Sequence, residues 1–284
     1  MLNINSVSEI VSELAEGPLW HSETSSVIWT DIPRQSIHIA GLKSGISSSI
    51  RTPMMIGAVG LSTNNELIAA TKNGFARITF DGNFESIADF LEPDLRMNDG
   101  KVDPLGRFWA GSLALNFEVG RGSLHILNVD SSILAIERNL NLSNGMGWSP
   151  EMNSFYFIDS IPGLLFRYDY DKTSGMLSNK SVLVEFDSRF GIPDGLTITS
   201  DGLILIALWD GGRLELFDQS GRKVEQFSLP VSRPTSCCFA GDDYSTVIIT
   251  TASQDIDRVK EPLAGRVLAL SGTGLYGLPS YRYG

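Results

Sequence analysis

The sequence predicts an all-β, six-bladed β-propeller, and three observations carry that prediction. Short runs rich in Val, Ile, Phe, Tyr and Trp recur along the chain between turn signals, and a second alternating run follows each of them. The pair returns in the same phase at a period of roughly 40 to 50 residues, the size of a propeller blade. A β-sandwich also contains many short strands, but it does not repeat one turn-strand-turn-strand phrase in frame.

Laid in register, the repeats begin near Glu16, Gly57, Asn98, Asn144, Asp194 and Thr235. In the first, the turn His21-Ser22-Glu23-Thr24 leads into SVIWTDI and then SIHIAGL. In the second, Thr63-Asn64-Asn65 leads into ELIAATK and FARITFDG. The third passes from Asp103-Pro104-Leu105-Gly106 into RFWAGSL and SLHILNVD, and the fourth from Ser149-Pro150-Glu151-Met152 into SFYFIDS and LLFRYDYD. The fifth follows Ser200-Asp201-Gly202 with LILIALW and RLELFDQSG, and the sixth holds TVIITTA and RVLALSG. Residues 6–14 (SVSEIVSEL) are expected to supply the outer strand of the last blade and so close the ring. With 28 Gly and 12 Pro spread evenly and no linker or charge block, residues 1–284 are expected to form a single domain.

Composition narrows the function. Hydrophobic residues make up 42% of the chain and charged residues 19%, which supports a folded core. Lys and Arg number 22 against 33 Asp and Glu, so the net charge of -11 repels a polyanion, and nucleic acid is not an expected partner. The start, MLNINSVSEI, lacks the basic and apolar regions of a signal peptide. The most apolar run, LILIALW, lies between Asp201 and Asp210 and is far shorter than the about 20 residues a bilayer requires. A cytoplasmic protein without a membrane partner is expected. Cys237 and Cys238 are neighbours that would point to opposite faces of a strand, so buried free thiols in a reducing compartment are expected rather than a disulfide. A closed propeller has few exposed edges, which favours a monomer or a weak oligomer.

In a propeller the first strand of every blade lines the central axis, so residues that open those strands converge. The openings read Glu16-Gly17-Pro18-Leu19-Trp20, Asn98-Asp99-Gly100, Asn144-Gly145-Met146-Gly147-Trp148 and Asp194-Gly195-Leu196. Any one Asn-Gly or Asp-Gly pair also suits a hairpin turn. Their common phase favours a shared polar site, as does Glu16-Gly17-Pro18, which is not a hairpin sequence. Glu16, Asn144 and Asp194 offer only oxygen donors, which suit a hard divalent cation such as Ca²⁺, Mg²⁺ or Mn²⁺, with Fe²⁺ and Zn²⁺ as further candidates. Two carboxylates nearly neutralise such an ion, and the ion relieves the cost of burying them. A bound dication polarises a carbonyl and acidifies water, while an adjacent carboxylate accepts a proton, which is the chemistry of ester or lactone hydrolysis. Asp99 is expected either to reach the ion through water or to cap its own turn.

Other motifs carry less. His21, His38 and His125 lack zinc-ligand spacing and are expected at surface or half-buried strand positions. No Gly-x-Ser-x-Gly elbow is present. The run Asp169-Tyr170-Asp171-Lys172-Thr173-Ser174-Gly175 departs from an EF-hand loop at the sixth and twelfth positions and reads as a turn between strands. Trp20, Trp109, Trp148 and Trp209 are expected at equivalent strands, packed between blades.

The phrases Arg96-Met97-Asn98-Asp99-Gly100-Lys101-Val102-Asp103-Pro104, Ser143-Asn144-Gly145, Pro193-Asp194-Gly195, Gly211-Gly212-Arg213 and Thr235-Ser236-Cys237-Cys238-Phe239 resemble the regucalcin (senescence marker protein) and gluconolactonase family, in order and over nearly the whole chain. The resemblance implies a six-bladed propeller that binds one divalent metal and hydrolyses a sugar-acid lactone. It implies Glu16, Asn144 and Asp194 as metal ligands, with Asp194 also the catalytic general base or acid, and Arg96, Asn98 and Glu118 as substrate contacts. Relatives in the same family leave two alternatives: a calcium-binding regulatory protein without turnover, and a hydrolase acting on phosphotriester or luciferin-type substrates.

Overall fold

The computed structural model describes residues 1–284 as six four-stranded antiparallel sheets arranged as a β-propeller. The inner strands of blades 1 to 6 are Ala15–His21, Ile56–Leu61, Leu95–Val102, Ser143–Trp148, Ile192–Ile198 and Pro234–Ala240. Each contains one of the six expected repeat origins. The second and third strands of each blade are the apolar and alternating runs read from the sequence.

A fourth, outer strand completes each blade, as in Phe84–Asp89 of blade 2 and Lys223–Ser228 of blade 5. Their hydrophobic signal is uneven: in Lys223–Ser228 only Phe227 is buried, whereas Ile133–Leu140 of blade 3 buries Leu140 and packs Ile133 and Ile136 against the core.

Ring closure uses the N-terminus, but not the residues expected. The outer strand of blade 6 is Asn3–Ser6, paired antiparallel with Leu268–Ser271, instead of residues 6–14. That third strand is four residues long and can partner no more. Beyond it the chain turns inward, through Val7 N to Val267 O (2.8 Å) and Ser12 N to Gly265 O (2.8 Å), to reach the inner strand at Ala15.

The core is distributed around the ring. Six apolar clusters each join two neighbouring blades, and burying a large side chain in one of them contributes about 1.5–3 kcal/mol. Between blades 3 and 4, Trp109 meets Trp148 edge-on at 5.5 Å and Phe155 at 5.1 Å. Neighbouring residues on a strand therefore serve different interfaces: Cys237 packs toward blade 5 and Cys238 toward blade 1, both as free thiols. Burial pushes the Cys237 thiol up to about 12.

The tryptophans are not equivalent. Trp20 and Trp148 lie on inner strands and Trp109 on a second strand, all buried. Trp209 ends the second strand of blade 5, half-buried, with the Arg233 guanidinium 4.8 Å from its ring centre.

The histidines are more buried than the sequence suggests. His21, His38 and His125 are 3%, 9% and 8% exposed, each against an aromatic ring: Phe80, Trp29 and Phe90. They act as flat neutral rings, and burial lowers all three pKa values, that of His125 to about 4. Asp171 does close a turn, accepting from Thr173 N at 2.8 Å between the third and outer strands of blade 4. No helix is long and apolar enough to cross a membrane.

One irregularity repeats in every blade. Each inner strand carries one residue more than its partner, with register shifts at Glu16/Leu19, Ile56/Ala58, Met97/Gly100, Ser143/Met146, Pro193/Leu196 and Pro234/Ser236. A β-bulge of this kind bends the strand and re-aims its side chains. The six bulges form a ring around the axis.

Candidate functional site

Glu16, Asn98, Asn144 and Asp194 all lie at those bulges, on four different blades, and are only 4–6% exposed. The pairs Asp99-Gly100, Asn144-Gly145 and Asp194-Gly195 are not hairpin turns; all three sit within inner strands. The glycines have a separate role. A Cβ on Gly145 would stand 2.6 Å from Leu196 N and 2.7 Å from Asp194 O, and one on Gly195 would overlap Ser236. Only glycine lets adjacent inner strands approach this closely beside the bulges.

Hydrogen bonds tie the polar residues together. Arg96 Nη1 donates to Asn98 Oδ1 (2.8 Å) and Met97 O (2.9 Å). Asn98 Nδ2 donates to Ser143 O (2.9 Å) and Asn144 Oδ1 (3.3 Å). Asn144 Nδ2 donates to Ser160 Oγ (3.1 Å), and Ser160 Oγ donates to Pro193 O (2.6 Å). Ser160 was not singled out by motif; its signal is a hydroxyl immediately after the second strand of blade 4, where blade 1 has Ile32.

The carboxylates differ from this satisfied network. Glu16 Oε2 and Asp194 Oδ1 are buried without any hydrogen-bond partner. Burial first, then repulsion from Asp194 and Asp99, raises the Glu16 pKa well above its ordinary value, while Arg96 opposes the rise. Burial and Asp99 raise Asp194 likewise, against Asn144 and Arg96. Desolvation lowers Arg96 to about 10, although Glu16 and Asp194 pull it back up. Buried anionic oxygens without partners are costly, and a cation between them removes the cost.

Tested against that need, the donors fit a hard divalent ion: two carboxylates and the Asn144 amide oxygen, all oxygen, with charge close to balance. No group of three or more His, Cys, Asp or Glu side chains is arranged to hold an ion, so a cage here depends on Asn144 as its third donor.

Two residues stand apart. Asp99 Oδ1 accepts from Gly100 N at 2.7 Å, so this side chain caps its own backbone. It borders a cavity of about 110 Å³ on the other side of the bulge ring, with Lys101, Thr197 and Tyr281. There the C-terminal segment crosses the axis, held by Gly277 N to Tyr244 O (2.9 Å) and Tyr283 N to Leu61 O (2.8 Å). Glu118 is not gathered with the others. It lies on the loop after the second strand of blade 3, with its side chain 53% exposed and 3.4 Å from Arg121, which also binds Glu92 and Asp94.

The SMP-30/Gluconolactonase/LRE-like region family matches residues 14–253. The chain belongs to this family. A Bacillus subtilis (strain 168) protein provisionally named a sugar lactone lactonase, YvrE, is 36% identical over 259 residues, covering 89% of this chain and 89% of that protein. Regucalcin of Danio rerio is 33% identical over 290 residues, covering 99% of this chain and 98% of its own. A solved luciferin-regenerating enzyme superposes with a TM-score of 0.92 at 25% identity, covering 100% of this chain and 99% of that one.

Proposed function

We propose that the chain is a divalent-metal-dependent lactonase that opens a sugar-acid lactone to the free aldonic acid. The observation that carries this reading is the pair of buried, partnerless carboxylate oxygens, Glu16 Oε2 and Asp194 Oδ1, beside buried amide donors and the half-buried Arg96 guanidinium. Membership of the family and similarity to a protein named for sugar lactone hydrolysis support it.

Glu16, Asn144 and Asp194 would hold the ion, which supplies a Lewis acid for the lactone carbonyl and for water. Arg96 presents a permanent positive charge to the lactone oxygens. Asn98 can give its longer amide bond, the 3.3 Å contact to Asn144, to a substrate oxygen. Glu118 joins as a contact to an outlying hydroxyl by exchanging Arg121 for it. Asp194 takes the proton of the attacking water as the new C–O bond forms at the carbonyl carbon. The ring C–O bond then breaks, and the same proton goes to the ring oxygen, which leaves as a hydroxyl.

A calcium-binding regulatory protein without turnover would use the same three oxygens.

The test is hydrolysis of five- and six-carbon aldonolactones by chelator-stripped protein, before and after adding Ca²⁺, Mg²⁺, Mn²⁺, Fe²⁺ or Zn²⁺, with spontaneous opening subtracted. The expected result is turnover that appears only with an ion. Ion binding without turnover on any lactone supports the regulatory alternative.

A further inference from the structure

The donors beside the carboxylates run in one direction, and each end of the chain is fixed by a group with a single role. Pro193 O can only accept, and Ser160 Oγ stands 2.6 Å from it, so the one hydroxyl proton of Ser160 is committed there. The contact between Ser160 Oγ and the Asn144 side chain at 3.1 Å must then be accepted by Ser160. That requires Asn144 to turn its NH₂ toward Ser160 and its Oδ1 toward Asn98. At the other end Arg96 can only donate, and its 2.8 Å bond fixes Asn98 Oδ1 as acceptor, leaving Asn98 Nδ2 to face Asn144. A flipped Asn144 amide would set oxygen against oxygen at Ser160 and donor against donor at Asn98.

We infer that Ser160 is a positioning residue of the cation site, holding the Asn144 amide with its NH₂ on the Ser160 hydroxyl and its oxygen on the side of Asn98. This rests on the reading of Asn144 as a cation ligand. Ser160 is 2% exposed. Its main chain is pinned in blade 4, by Ser160 N to Leu142 O and Gly163 N to Ser160 O, both 3.0 Å. Its hydroxyl bond reaches the blade 5 residue immediately before Asp194. One side chain therefore couples two of the three proposed ligands across a blade boundary. Blade architecture alone does not demand a hydroxyl here, because the matching residue of blade 1 is the apolar Ile32.

The experiment is titration calorimetry of Ca²⁺ and Mn²⁺ into the chelator-stripped full chain, for wild type, Ser160→Ala and Ser160→Thr. Melting temperatures of the metal-free forms are recorded in parallel. Ser160→Ala is expected to weaken ion binding by about 10- to 100-fold, the usual effect of losing a group that orients a ligand. Ser160→Thr, which keeps the hydroxyl, is expected to recover most of that affinity. An unchanged dissociation constant in Ser160→Ala, while wild type binds, overturns the positioning role. Absence of binding by wild type overturns the cation reading itself, and the positioning role with it, so the two failures are distinct. Side-chain amide exchange by NMR gives a second readout that does not depend on Ser160→Thr folding. The Asn144 Nδ2 protons are expected to exchange slowly in wild type and rapidly in Ser160→Ala, and equally slow exchange in both overturns the inference.

Discussion

Asp194→Asn is expected to lower lactone turnover by at least about 10³-fold and to weaken divalent-cation binding, while leaving the metal-free fold at least as stable as wild type. The first two effects follow from removing both a cation-ligand charge and the proton acceptor, since general-base catalysis alone contributes about 10²- to 10⁴-fold. The third distinguishes a functional carboxylate from a structural one. Asp194 is 5% exposed, one of its oxygens has no partner, and Asp99 repels it. Replacing that buried charge by a neutral amide of the same shape removes a desolvation cost without opening a cavity. Steady-state kinetics, calorimetric titration and thermal melting under chelation measure the three effects. Retained turnover in a protein checked for metal content would contradict the assignment, and a large fall in metal-free melting temperature would mark Asp194 as structural.

Removing the cation is expected to change how stability responds to pH. Glu16, Asp194 and Asp99 titrate above their ordinary values of 4.5, 3.8 and 3.8 in the metal-free fold. In the window above those values the folded chain retains protons that the unfolded chain has released, so these groups destabilise the metal-free fold as pH rises through it. A bound ion reverses this by keeping Glu16 and Asp194 ionised, and protons displace it as pH falls. The gap in melting temperature between loaded and stripped protein should therefore widen from pH 5 to pH 7.5. Each group contributes at most about 1.4 kcal/mol per pH unit.

The buried histidines act in another sense. Their lowered pKa values let the unfolded chain take up protons first as pH falls below 6.5, which destabilises both forms alike. They cancel in the difference between the two melting curves. A gap that stays constant over this range, or narrows toward neutral pH, would contradict the placement of the ion between Glu16 and Asp194.

What the sequence revealed and what it concealed divide along physical lines. Glu16, Asn98, Asn144 and Asp194 were legible because a repeat fixes phase, and in this fold one phase is the ring of bulges at the axis. A pair such as Asn144-Gly145 is ambiguous alone, since a turn and a bulge call on similar residues, and only its recurrence separated them.

Outer strands such as Ser47–Arg51 and Lys223–Ser228 were hidden because exposure of all but one of their residues removes the alternation that marks a strand. The N-terminal strand was misplaced by several residues because its length is set by a distant partner, Leu268–Ser271. Ser160 was missed because its role comes from an acceptor on the next blade, 33 residues away. Glu118 was assigned by resemblance in a loop, and its position there follows Arg121 rather than the repeat.

The central claim is that one divalent ion sits on the axis between Glu16, Asn144 and Asp194. Anomalous diffraction from crystals grown with Mn²⁺ tests it most directly. A single strong peak is expected within about 2.0–2.6 Å of an oxygen from each of the three side chains. A peak elsewhere, such as among Glu92, Asp94 and Glu118, or no peak in a protein that still hydrolyses lactones, would contradict it.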